Sequence, residues 1–205
     1  MNNTWNGIIY KIWAPLYDRF FNAGPFLKAR QSLFQDVTFN EGDRVLFVGV
    51  GTGADLEQIP RDKLDITAID YSQDMLDQAR RKFPHSQIQF LQMDAQHLDF
   101  ESETFDYVVG SLILTVVPDG EKAFSEMARV AKRGGTILVF DKFAPEDREL
   151  SFLKKLVRPL IRVLGTDIGI SFKSLSRKHK EDVNLKEDRE LAFNGMYRKI
   201  TLIKK

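Results

Sequence analysis

The stretch Arg44-Val-Leu-Phe-Val-Gly-Val-Gly-Thr-Gly-Ala-Asp-Leu56 decides the fold. Val45, Leu46, Phe47 and Val48 read as a buried strand running straight into Gly49, Gly51 and Gly53. Glycines on alternate positions let the backbone turn sharply and lie against a ligand, because no Cβ blocks the approach. Ala54 to Gln58 reads as the opening of a helix, whose free N–H groups and positive dipole end suit an anionic group. Seventeen residues after Gly53, Asp70 ends a second apolar run, Asp65-Ile-Thr-Ala-Ile-Asp70. A carboxylate there can accept from both hydroxyls of a ribose. Strand, glycine turn, helix, strand and acid describe a nucleoside-binding site on a doubly wound sheet.

Two ligand classes compete for this pattern. Gly49, Gly51 and Ala54 satisfy G-x-G-x-x-A, with an acid roughly 20 residues on, as a dinucleotide site requires. Gly53 makes the loop G-x-G-x-G instead, which fits a ligand bringing a carboxylate and an amine rather than a pyrophosphate. A third run, Ile88-Gln-Phe-Leu-Gln-Met-Asp94-Ala95, ends in another acid, placed to accept from an adenine amino group. Both features favour S-adenosylmethionine. A dinucleotide-dependent reductase would also need a Tyr/Lys pair or a substrate domain, and neither is evident.

The series Gly49-Val-Gly-Thr-Gly53, Asp70-Tyr-Ser-Gln-Asp-Met75-Leu, Met93-Asp94-Ala95, Phe105-Asp-Tyr-Val-Val and Arg129-Val-Ala-Lys-Arg-Gly-Gly135 resembles the class I S-adenosylmethionine-dependent methyltransferases. The likeness covers about residues 40–142. Within that superfamily the chain resembles ubiquinone/menaquinone-biosynthesis C-methyltransferases and, more closely, bacterial phospholipid N-methyltransferases. The closer likeness rests on Val48-Gly-Val-Gly-Thr-Gly53, Leu112-Ile-Leu-Thr-Val-Val-Pro118 and Phe140-Asp-Lys-Phe143. The resemblance implies an α/β fold: a Rossmann-like, doubly wound, mostly parallel seven-stranded sheet with an antiparallel C-terminal strand and helices on both faces. It also implies cofactor contacts from Gly49, Gly51, Thr52, Gly53, Asp70, Tyr71, Met75, Asp94, Ala95, Ser111 and Leu112, with S-adenosylhomocysteine as product. Two positions depart from the family. Phe47 stands where an acid often helps to hold the methionine amine, leaving Asp55 or backbone carbonyls as substitutes; Asp55 reads equally as a solvated acid stabilising the first turn of its helix. Thr115 stands where many relatives carry histidine.

Composition narrows the remaining classes. The chain has 205 residues, enough for one domain with its own core. Zero cysteine excludes disulfides, thiolate metal sites and cysteine nucleophiles, and fits a reducing, cytoplasmic compartment. His85, His97 and His179 are too scattered for a metal site, so none is expected. The start, Met1-Asn-Asn-Thr-Trp5, lacks the features of a secretory signal, and no run approaches the roughly 18 apolar residues that span a bilayer. Net charge is +1, but residues 1–150 carry 16 Lys/Arg against 23 Asp/Glu, while residues 151–205 carry 14 against 6.

Alternating strands and helices between residues 44 and 141 predict a parallel sheet covered on both faces: strands at 44–50, 65–70, 88–93, 105–111 and 136–141, helices at 53–59, 72–83 and 119–132. The last helix is expected to close at Gly134-Gly135. Residues 1–39 read as an aromatic-rich helical segment, either packed over the sheet or forming a lid whose Tyr10 and Tyr17 line the acceptor cavity. Residues 143–187 read as a helical insertion. Within it Lys154, Arg158 and Arg162 lie four apart opposite Leu153, Leu156, Leu160 and Leu164. That stripe is either a cap with a wetted basic face or a peripheral attachment to an anionic inner membrane face. Two extended runs, 190–193 and 197–203, meet at Asn194-Gly195, a hairpin signal. The acceptor expected from these features is a lipid head-group amine or another small or membrane-associated molecule. The alternatives are a quinone precursor, a soluble metabolite and a cofactor-binding module without turnover. Nucleic acid is disfavoured, because Lys173 to Lys180 has only Phe172 beside it. An amine must lose a proton before methylation, and Tyr10, Tyr17 and His97 are the candidate bases.

Overall fold

Strand β1 (Arg44–Val48) is the centre from which the sheet grows, hydrogen-bonded in parallel to β2 (Asp65–Asp70) on one side and β4 (Phe105–Ser111) on the other. A computed structural model describes the chain over residues 24–143, 172–192 and 195–205. The expected lid up to residue 23, with Tyr10 and Tyr17, and the basic stripe at 151–164 lie outside the described residues. Among the described residues seven strands form one sheet in the order β3-β2-β1-β4-β5-β7-β6. β3 is Gln89–Gln92, β5 is Ala131–Lys142, β6 is Val183–Ala192 and β7 is Tyr197–Lys204. All run the same way except β7, which is antiparallel to both β5 and β6. This is the doubly wound, mostly parallel sheet with an antiparallel C-terminal strand that the sequence implied.

Alternation along the strands sorts the core into two layers. Val45 and Phe47 of β1, Ile66 and Ala68 of β2, and Leu138 and Phe140 of β5 face helix α1 (Gly24–Phe34) and helix α2 (Gln73–Lys82). Leu46, Val48, Ile69, Val108, Ile137 and Val139 face helix α3 (Gly120–Val130) and helix α4 (Phe172–Lys178) on the other side. Pro25 fits the first turn of α1, where its missing N–H is not needed, and Phe26, Ala29, Leu33 and Phe34 recur at helical spacing on its buried face. Ser72 caps α2 by accepting from Met75 N at 3.4 Å, and Asp119 caps α3 by accepting from Lys122 N at 3.0 Å.

Three boundaries differ from the sequence expectation. The predicted helix after the glycine turn is a single 3₁₀ turn, Asp55–Gln58. Ile59 precedes Pro60 and is therefore driven to extended backbone, φ −125° and ψ 158°, so no α-helix propagates. Gly134-Gly135 does not close α3, which ends at Val130. The pair lies inside β5, where Gly134 has φ 76° and the pairing jumps from Phe105↔Ala131 to Tyr107↔Thr136. The glycines serve a bulge rather than a helix cap. β6 begins at Val183, so the expected insertion to residue 187 overlaps a strand, and the hairpin is longer than its apolar runs. Lys199 of β7, almost fully buried, pairs with Glu187 at 3.1 Å and Asp36 at 3.8 Å, joining the hairpin to the chain just beyond α1.

Candidate functional site

The carboxyl ends of β1, β2, β3 and β4 converge where the strand order reverses, between β1 and β4, the position at which open parallel sheets bind ligands. The turn leaving β1 is built from backbone that only glycine adopts freely: φ is 73° at Gly49, 55° at Gly51 and 85° at Gly53. Ile69 O accepts from both Gly49 N and Val50 N at 2.9 Å. Asp70 completes the frame, its Oδ2 accepting from Gly51 N and its Oδ1 from Ser72 N, each at 2.8 Å. Burial pushes the Asp70 carboxyl above its ordinary range, against the pull of the N–H groups of Ser72, Gly51 and Tyr71. A carboxylate has about four acceptor positions, more than these N–H groups occupy, so acceptor capacity remains for a ligand's hydroxyl. A Cβ on Gly51 would meet nothing within 4 Å; the turn is open on that side. Tyr71, 46% exposed, stands beside it.

Asp55 opens the 3₁₀ turn and is not a solvated acid. It is 4% exposed and accepts from Arg30 Nη1 of α1 at 2.5 Å. Without an α-helix at this turn, the dipole argument for an anion does not apply. Phe47, in place of the usual acid, is a core residue with its ring 6.4 Å from that of Phe34. Thr52 is buried, with Lys82 Nζ 3.5 Å from its hydroxyl, and Met75 is buried under the first turn of α2.

The end of β3 is fixed by a residue that sequence reasoning passed over. Gln96, buried, donates from Nε2 to both oxygens of Asp94, at 2.9 and 3.1 Å, and accepts from Asp119 N at 3.0 Å. It therefore ties Asp94 and the buried Ala95 to the cap of α3. His97 is exposed, and its Nε2 contacts Lys122 Nζ. An ammonium only donates, so this contact uses the lone pair that a base would need. A base at that nitrogen would require Lys122 to swing aside. Glu126 and Arg129 of α3 pin the following segment: Glu126 accepts from Leu98 N at 2.8 Å, and Arg129 donates to Leu98 O and Phe100 O at 2.8 Å. The Arg129 hydrogen bond holds the Glu126 carboxyl below its ordinary range.

Beyond β4 the chain is under strain. Leu112 has φ 56°, a conformation that costs a side-chain-bearing residue about 1–2 kcal/mol, and Leu112 N donates to Phe140 O at 2.6 Å. Ser111, 8% exposed, has an Oγ with no hydrogen-bond partner among the described residues. Ile113 lies against the glycine turn, its Cδ1 2.6 Å from where a Cβ on Gly49 would sit. Asp141, wholly buried at the end of β5, accepts from Leu114 N at 2.8 Å and from the Thr115 hydroxyl at 2.7 Å. Burial pushes its carboxyl up, with the Thr115 hydrogen bond opposing; burial and the Asp141 charge push the neighbouring Tyr197 hydroxyl up to about 12. Thr115 thus fills the family's histidine position with a side chain that locks a loop. Among the described residues no group of three or more His, Asp or Glu side chains gathers as a metal site would require.

A sheet in this order, with one reversed strand, a glycine turn after β1 and acids ending β2 and following β3, defines the class I methyltransferase architecture. Residues 46–139 match the methyltransferase domain family. A phosphatidylethanolamine N-methyltransferase of Cereibacter sphaeroides is 37% identical over 160 residues, which cover 76% of this chain and 77% of that protein. A ubiquinone/menaquinone biosynthesis C-methyltransferase of Teredinibacter turnerae is 28% identical over 200 residues, 91% of this chain and 74% of that one. Among solved structures, an S-adenosylmethionine-dependent methyltransferase of Thermotoga maritima shares the fold at a TM-score of 0.71, with 19% identity over 96% of this chain and 98% of that one. The chain belongs to the S-adenosylmethionine-dependent methyltransferase family. It is an enzyme of that class, and S-adenosylmethionine is its methyl donor. The open face of Gly51, the spare acceptor positions of Asp70 and the exposed Tyr71 ring fit that cofactor. No helix among the described residues is long and apolar enough to cross a membrane.

Proposed function

We propose that this methyltransferase acts on a lipid head-group amine. The observation that carries the reading is the 37% identity to a phosphatidylethanolamine N-methyltransferase over 77% of that protein's length. The basic stripe of Lys154, Arg158 and Arg162 supports it, because cations four apart in a leucine-rich sequence suit an anionic lipid surface. A quinone precursor is the second reading, favoured by the relative whose match spans 91% of this chain.

S-adenosylmethionine supplies a methyl group on a positively charged sulfur. The chain's part is to position donor and acceptor and to exclude water, and such alignment accounts for much of the acceleration in reactions of this kind. Asp70 accepts from the ribose hydroxyls, Asp94 from the adenine amine, and the open face of Gly51 leaves room for the methionine part, with Gly49, Thr52 and Gly53 shaping the turn around it. Tyr71, Met75 and Ala95 flank the adenosine; Ser111 and Leu112 stand between cofactor and acceptor. Tyr10, Tyr17 and His97 are the groups assigned to remove the amine proton. The lid read in the sequence is kept only for the residues before α1, since Gly24–Phe34 packs on the sheet, and the segment read as an insertion ends before Val183, all within one domain.

The test is transfer of labelled methyl from S-adenosylmethionine to vesicles containing phosphatidylethanolamine, run beside vesicles containing a demethylated quinone. Label in the amine lipid supports the proposal; label in the quinone alone replaces it with the second reading. Co-sedimentation tests the membrane contact. Binding to anionic vesicles is expected to fall with salt, and a triple Gln substitution at Lys154, Arg158 and Arg162 is expected to weaken it by up to about 3 kcal/mol. Indifference of the unaltered protein to anionic vesicles at low salt would remove the peripheral role.

A further inference from the structure

The loop after β4 is held by a residue of the neighbouring strand, outside the glycine turn. Asp141 of β5 receives four hydrogen bonds, two on each oxygen: Leu114 N at 2.8 Å and Thr115 N at 3.3 Å on Oδ2, the Thr115 hydroxyl at 2.7 Å and Lys142 N at 2.8 Å on Oδ1. Three of the four come from the loop after β4, so a fully buried carboxylate sets the path of that loop from a neighbouring strand. The same loop carries Leu112 in its left-handed conformation and lays Ile113 on Gly49. Its position and that of the first glycine are therefore coupled by direct contact. Ser111 Oγ, at the base of the loop, is buried and has no partner among the described residues, although Asp141 satisfies the polar groups immediately beyond it.

We propose that Asp141 is a positioning residue for methyl transfer: through Leu114 and Thr115 it fixes the Leu112–Thr115 turn as the wall between donor and acceptor, with Ile113 seated on Gly49 and Ser111 Oγ kept free to bond a bound molecule. The role rests on S-adenosylmethionine-dependent methyl transfer and not on the choice of lipid amine as acceptor. A clamp of this kind acts on affinity and alignment, whereas a brace that served only the core would act on stability alone.

The experiment compares Asp141→Asn, Thr115→Val and Thr115→Ser with the unaltered protein. Affinity for S-adenosylmethionine and S-adenosylhomocysteine is read by calorimetry without acceptor, exchange of the Leu114 and Thr115 amides by hydrogen–deuterium exchange, and thermal stability alongside. Thr115→Val keeps the carboxylate and removes one donor, so it reports even if Asp141→Asn fails to fold. It is expected to weaken cofactor affinity by about two- to tenfold, the worth of one hydrogen bond, and to speed exchange of both amides. Thr115→Ser, which retains the hydroxyl, is expected to restore both readings. A lowered thermal midpoint with unchanged cofactor affinity and unchanged amide exchange would overturn the positioning role alone. Failure of the unaltered protein to bind S-adenosylmethionine would overturn the donor site, and the positioning role with it.

Discussion

A methyl group added at Gly49 would sit 2.6 Å from Ile113 Cδ1, whereas one added at Gly51 would meet nothing within 4 Å, though both glycines have positive φ. Their substitutions should therefore separate. Gly51→Ala is expected to cost about 1–2 kcal/mol of stability from backbone strain while blocking the cofactor sterically, so binding is lost at every salt concentration. Gly49→Ala adds a clash with the loop after β4 and is expected to destabilise more. Calorimetry with S-adenosylmethionine and chemical denaturation of both variants check the contrast; normal binding by Gly51→Ala would make the turn purely structural. Asp70→Ala removes a charged acceptor, worth roughly 1.5–3 kcal/mol per bond, so cofactor affinity should drop at least about tenfold. Because Gly51 N and Ser72 N lose their acceptor as well, some stability should go with it. Unchanged affinity would refute the ribose assignment. The glycines, Asp70 and Asp94 were legible because each lies within a few residues of a strand end. Asp141 was not: its partners lie 26 and 27 residues away, a distance that no local pattern encodes.

Helix α1 and the turn after the glycines share apolar packing and an ion pair, and that pair decides what Asp55 is for. With Arg30 and Asp55 both nearly inaccessible, breaking the pair by removing Asp55 is expected to cost about 3–5 kcal/mol. Asp55→Leu should show that loss in urea denaturation, and Asp55→Leu combined with Arg30→Met should recover most of it. The two uses of Asp55 then divide cleanly. If the pair only joins α1 to the turn, the double variant regains cofactor affinity; if Asp55 holds the methionine amine, affinity stays low after stability returns. The elements themselves were legible where an apolar run marks them. β1, β2 and β4 are apolar and were placed to within about two residues, within ordinary boundary scatter. β6 was mostly missed, since Val183–Ala192 is an edge strand whose charges keep it from pairing further and also hide its period. The helix wrongly expected at 53–59 came from reading Ala54–Gln58 without weighing Pro60. The glycine pair at 134–135 signals a sharp turn in either setting, so only the pairing register of β4 and β5 tells a bulge from a cap.

Across the whole molecule, acids with opposite shifts should give acid titration a recognisable shape. Asp141 is raised above 3.8, so below its folded value the native state holds a proton that the unfolded chain releases. Its contribution therefore declines as pH rises from 3.8 through the folded value. Glu126 is lowered from 4.5 by the Arg129 hydrogen bond, so its contribution is present above 4.5 and lost as pH falls through its folded value. The difference in thermal midpoint between the unaltered protein and Asp141→Asn should shrink with rising pH. The corresponding difference for Glu126→Gln should grow, and two parallel curves would contradict the assignment. Strand order and the reversed β7 were readable at this scale because buried strands, alternating helices and a terminal hairpin leave few ways to arrange a sheet. The position of β7 also bears on biosynthesis. Fifty-four residues separate the end of β5 from the strand that covers it, and among the described residues β6 pairs only with β7. While the nascent chain leaves the ribosome, the flank of β5 that β7 later pairs therefore presents backbone N–H and C=O groups still without that strand. A chain stalled or cleaved after β6 keeps the cofactor strands but not the means to shield that flank, which makes it a substrate for chaperones and for aggregation rather than a smaller working enzyme.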